Sequence, residues 1–126
     1  MNSKRSWEYR MKYRLEYSQI VRKKLKILKL FLTEQFGEEV AVSSLKKITD
    51  KARNLQDNPG IGCDLSEMLE IETDYYSVYV NHNHLFYYIE GDVIIIAEMF
   101  DEREDFMYKL FGISGRTQES IDYWGE

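Results

Sequence analysis

The chain has 126 residues, of which 44% are hydrophobic and 31% charged, with one cysteine and a formal net charge of -5. That length suits a single domain able to bury roughly two-thirds of its unfolded surface. The lone thiol, Cys63, excludes an internal disulfide and fits a reducing, cytoplasmic setting, while the longest apolar run, Val93 to Ala97, falls far short of the roughly 20 residues of a membrane helix.

The opening, MNSKRSWEYR, lacks the apolar core of a signal peptide, so neither secretion nor membrane contact is expected. Charge is divided unevenly. Residues 1–30 hold ten Lys/Arg and two acids, whereas residues 31–126 hold seven bases and twenty acids. A basic face attracts phosphate and an acidic field repels it, so the fold decides which one a partner meets.

Tyr9, Met11, Tyr13, Leu15 and Tyr17 alternate with Arg10, Lys12, Arg14 and Glu16, the period of a half-buried strand. Ser18 then caps a predicted helix whose apolar positions Val21, Leu25, Leu28, Leu32 and Phe36 recur every three or four residues, with Gly37 as its stop. A second amphipathic helix is expected from Ser43 or Ser44, burying Leu45, Ile48, Ala52 and Leu55. The two should form an antiparallel hairpin. Asn58-Pro59-Gly60-Ile61-Gly62 breaks the helical period.

A run of strands follows. A first is expected around residues 68–72, then Tyr75 to Val80, Leu85 to Glu90 and Val93 to Met99, with Asn81 to His84 as a hairpin loop. Gly91-Asp92 suits a type II′ turn, because glycine tolerates positive φ at the first central position. From about Glu102 a short helix should present Phe106, Leu110 and Ile113 to the core, with Asp105 and Lys109 as an i,i+4 pair. The expected fold class is therefore α+β, a helical hairpin on a twisted antiparallel sheet of about four strands with a short C-terminal helix, over residues 1–113, followed by a tail, 114–126.

The order YYSVYV, LFYYIE, VIIIAEMF, DEREDF, MYKLF between Tyr75 and Phe111 resembles the C-terminal half of the RelE/ParE superfamily of bacterial toxins. The resemblance covers residues 9 to 113. It implies a toxin of a type II toxin–antitoxin pair, neutralised by a cognate antitoxin. The target stays open between ribosome-bound mRNA, cut without metal or cofactor, and DNA gyrase, inhibited without catalysis. A non-toxic binding protein on the same fold is the alternative, which the acidic composition favours.

RNA cleavage requires a base for the ribose 2′-hydroxyl, cations for the phosphate and an acid for the leaving oxygen. Arg103 matches the family's arginine at the end of the last strand, and Tyr108 stands where relatives place a functional tyrosine. Asp101 occupies the place of a frequent histidine, and Tyr75 to Val80 has no arginine, although RNA-cleaving relatives carry one there. The resemblance implies phosphate contacts for Arg53 and Lys51 on the second helix.

His82 and His84 are the only histidines and could serve as base and acid. A metal site needs a third ligand, and no residue with ligand spacing stands nearby. The stripe Arg22, Lys23, Lys26 and Lys29 is the best nucleic-acid-facing surface, although such a helix face is ordinarily just solvated. Tyr75, Tyr76, Tyr79, Tyr87 and Tyr88 could stack bases, yet without interleaved cations they are expected to pack the sheet.

Overall fold

The computed structural model describes residues 13–112. It begins with β1 (Arg14–Tyr17), in which Leu15 and Tyr17 face inward and Arg14 and Glu16 face solvent; positions 9–12 of the expected strand lie outside the described residues. The first helix, α1 (Gln19–Phe36), is capped by Ser18, whose Oγ accepts from Val21 N–H at 3.1 Å. Val21 is fully buried, and Leu25 and Leu28 pack against the same core. Phe36, expected on the buried face, is 63% exposed. With 18 residues, α1 is about 27 Å long, and Phe36 at its end and Val40 just beyond Gly37 are both exposed.

The second helix, α2 (Glu38–Asn54), starts immediately after Gly37, five residues before the expected Ser43. Gly37 has φ 96°, a conformation a side chain would strain, so one residue suffices to reverse the chain. Glu38 and Glu39 then occupy the first turn, where carboxylates complement the helix dipole. Ala41, Ile48 and Ala52 are buried, with Leu55 beyond them.

In place of the strand expected at 68–72 the chain makes β2 (Cys63–Asp64) and a helix, α3 (Leu65–Leu69). Asp64 accepts from Ser66 N–H at 3.0 Å as the cap, Leu65 and Leu69 land on one face four residues apart, and Glu70 ends the turn at φ 53°. The apolar content of this segment serves a 3.6-residue period.

Three longer strands follow: β3 (Tyr76–Val80), β4 (Asn83–Glu90) and β5 (Val93–Asp101). The first hairpin turns on only Asn81 and His82, at φ 49° and 67°, the pattern of a type I′ turn. His84, expected in the loop, therefore belongs to β4. Gly91 has φ 62° in the second turn, as the type II′ expectation requires. The sheet order is β1-β5-β4-β3-β2, with β1 parallel to β5 and the other pairs antiparallel.

Phe86 opposes Glu98 but Tyr87 opposes Ile96, which leaves Ala97 as an extra residue in β5. The bulge lets Ile94, Ile96 and Met99 all join Leu85 and Tyr87 under the helical hairpin. Phe86 and Phe100 point to the opposite face, where Leu65, Phe106, Leu110 and Phe111 form a second cluster.

The last helix, α4 (Phe106–Phe111), starts later than expected. Asp101 Oδ1 accepts from Arg103 N–H at 2.9 Å and Glu104 Oε2 from Asp101 N–H at 2.8 Å, so side chains hold residues 101–104 in a turn. Lys109 bonds Glu104, against the expected pair with Asp105; Ile113 lies outside the described residues. The architecture is α+β, with the hairpin on one face of the sheet and short helices on the other. Among the described residues no helix is long and apolar enough to cross a membrane.

Candidate functional site

The end of β5 and the β3–β4 turn meet at one corner. Asn83 stands opposite Asp101 in the register, and Glu102 N–H donates to His82 O at 2.8 Å. His82 Nδ1 lies 3.0 Å from Glu102 Oε2, and the Tyr79 hydroxyl donates to Glu102 Oε1. The Tyr79 bond, then that of His82, holds the Glu102 carboxyl below its usual pKa; the same contact raises the Tyr79 phenol. Glu102 thus staples the turn to the end of the last strand and orients the His82 ring.

Arg103 sits beside this staple at 86% side-chain exposure. Its Nε donates to Asp101 Oδ1 at 2.8 Å and its Nη2 to Oδ2 at 3.4 Å, a fork on one carboxylate. The hydrogen bond from Arg103 pulls the Asp101 carboxyl below the ordinary range and raises the guanidinium. The local sequence explains the fork, because a turn with Asp two residues before Arg brings both to one side. Arg103 reaches an open surface, but with Asp101, Glu102 and Glu104 around it. That balance serves a structural pair better than a phosphate clamp.

The remaining candidates do not gather here. His84 is half-buried in β4 and packs between Tyr79 at 5.2 Å and Phe106 at 5.5 Å, centroid to centroid, so the two histidines occupy unlike surroundings. Arg53, on α2, bonds Asp50 at 2.6 Å and exerts its charge on the Tyr17 phenol, whose burial raises its pKa. Lys51 lines a groove with His84 and Phe106. Arg22, Lys23, Lys26 and Lys29 are exposed along α1. Tyr108 belongs to α4, but its side chain lies outside the described set. Tyr87 is buried and stacks on Tyr76 at 5.3 Å, while Tyr75 meets Tyr88 edge-on at 5.9 Å, so these rings pack the sheet. Among the described residues no group of three or more His, Cys, Asp or Glu could hold a metal ion.

One cation escaped the sequence reading. Lys24 Nζ bonds Glu98 Oε1 and Met99 O, each at 2.8 Å, and lies 4.3 Å from the centre of the Phe100 ring. It borders a groove of about 380 Å³ between α1 and β5 that Arg103 lines from the other side. Position 24 stands three residues after Val21 and four before Leu28, on the flank of the buried stripe, and that spacing was the available signal.

A family model described as ParE toxin of type II toxin-antitoxin system, parDE, matches residues 15–106. A solved structure titled "Chromosomal ParDE TA system from P. aeruginosa" is similar in fold, with a TM-score of 0.61 at 15% identity over 72% of this chain and 97% of that one. No curated protein matches the sequence.

Proposed function

Starting from a chain that belongs to the ParE toxin family of type II toxin–antitoxin systems, we propose that it arrests growth by binding a protein target, DNA gyrase, and that a cognate antitoxin neutralises it. The observation that carries the choice of target is the state of Arg103, whose guanidinium is already forked onto Asp101. A phosphoryl-cleaving site needs cations ready for charge that develops on the phosphate. Here β3 supplies no arginine, His82 is engaged by Glu102, and Arg53 is engaged by Asp50 on another element. An exposed surface with paired charges suits recognition of a protein.

Induction of the chain alone in bacteria tests this. Growth arrest with DNA-damage signalling and intact transcripts is expected, relieved when an antitoxin gene is expressed beside it. Arrest with transcripts cut at ribosomes contradicts the choice of target. Harmless accumulation of folded protein contradicts the toxin itself and leaves a binding protein on the same fold.

A further inference from the structure

The two long edges of the sheet are finished differently. Beyond Ile96, where β1 stops pairing with β5, side chains take the outward backbone groups: Ser18 Oγ donates to Ala97 O at 2.9 Å, Lys24 to Met99 O at 2.8 Å, and Glu98 accepts from Met99 N–H at 3.0 Å. Such capping blocks the addition of another strand. On β3 the two-residue turn makes Val80 and Asn83 a hydrogen-bonded pair, and the antiparallel alternation then points the N–H and C=O of Ser77 and Tyr79 to the other edge. β2 pairs with Ser77 through Cys63 and does not extend to Tyr79.

Among the described residues, therefore, the backbone of Tyr79 has no strand partner on this edge, which opens there into a groove of about 330 Å³. Ile61, Met68 and Tyr79, each more than half exposed, line it with Phe106, and among the described residues Lys51 is the one charged side chain there. An edge with one residue's backbone pair on offer, recessed between apolar walls, accepts a single extended segment; the equally recessed edge of a second copy cannot reach it. The fitting segment has apolar residues at alternate positions and acids between or beside them.

Residues 119–126, ESIDYWGE, have that pattern, with Ile121 and Tyr123 flanking Asp122. The 113–126 segment carries one base, Arg116, against Glu119, Asp122 and Glu126, complementary to Lys51. It follows α4, whose first residue, Phe106, already lines the groove. Fourteen residues can extend up to about 46 Å, against about 9 Å for α4, so the groove is within reach. The family match ends at residue 106, which places this segment outside the shared fold.

We propose that residues 119–126 add in cis to the free edge of β3 as a sixth strand, seating Ile121 and Tyr123 on the apolar wall and covering Lys51. This stands whichever target the protein binds. The test uses the full chain and two readouts, exchange of the Tyr79 amide and labelling of the Cys63 thiol, which lines the same groove. In the parent protein both should be at least tenfold slower than in the double variant Ile121→Asp, Tyr123→Asp, and independent of protein concentration. Lys51→Glu, which leaves the segment unchanged, should lose part of the same protection. Equal rates in parent and variants overturn the proposal, and protection that grows with concentration overturns it in favour of a second copy.

Discussion

Lys24 shows how much a single side chain contributes to placing the corner. Its ammonium bonds Glu98 and a backbone carbonyl at the edge of β5 beyond β1 and lies over the Phe100 ring, so it fixes α1 against the strand that ends in Asp101. Lys24→Met keeps the stem but strands a largely buried carboxylate, and should cost about 1–3 kcal/mol in urea unfolding. Arg103→Ala breaks an exposed, solvent-screened pair and should leave the urea unfolding midpoint nearly unchanged. His82→Ala removes no proton-transfer step on this reading, so ribosome-bound transcripts should stay intact in parent and variant alike; transcript cleavage in the parent that the variant loses with unchanged stability would restore a catalytic role. The position of Arg103 just beyond the last strand was legible in the sequence. Its neutralisation by Asp101 was not, since a carboxylate two residues away pairs only when the backbone turns there.

At the scale of elements, the long alternating and helical periods were readable. The short elements were not, because caps and turns decide them. Residues 68–72 looked like a strand from apolar content, yet Asp64, Ser66 and the four-residue spacing of Leu65 and Leu69 form a helix. The hairpin loop shrank because Asn81 and His82 both accept positive φ. Ser18 was read correctly as a cap, but its second bond, to Ala97 at the bulge, joins residues 79 positions apart and leaves no local trace. Ser18→Ala should therefore cost about 1–3 kcal/mol, more than a cap alone. Gly62 is a second such joint. A Cβ there would stand 2.6 Å from the Tyr87 hydroxyl and 2.8 Å from Ser77 O. Gly62→Ala should lower stability by about 1–3 kcal/mol and loosen the loop that Tyr87 holds through Pro59 O and Gly62 N–H.

For the whole molecule, the acidic balance has a stability consequence. Asp101, Glu102 and Asp64 all have carboxyl pKa values held below their usual ones, by hydrogen bonds from Arg103, Tyr79 and Ser66 respectively. Groups depressed on folding add stability that is complete above their unfolded values of about 4 and is lost as pH falls through the folded ones. The melting temperature should accordingly stay level from pH 8 to about 5 and fall below about 4, with Asp101→Asn flattening part of that fall. The basic start and acidic remainder do not merge into one field: Arg22, Lys23, Lys26 and Lys29 stay exposed on α1, while the corner around Arg103 is acid-rich.

Whether that corner recognises a protein or cuts RNA is decided most directly with purified protein. Titrated into a DNA supercoiling reaction, the chain should inhibit gyrase at concentrations comparable to the enzyme and leave a ribosome-bound transcript uncut. Undiminished supercoiling, together with transcript cleavage that disappears in Arg103→Ala, would contradict the account.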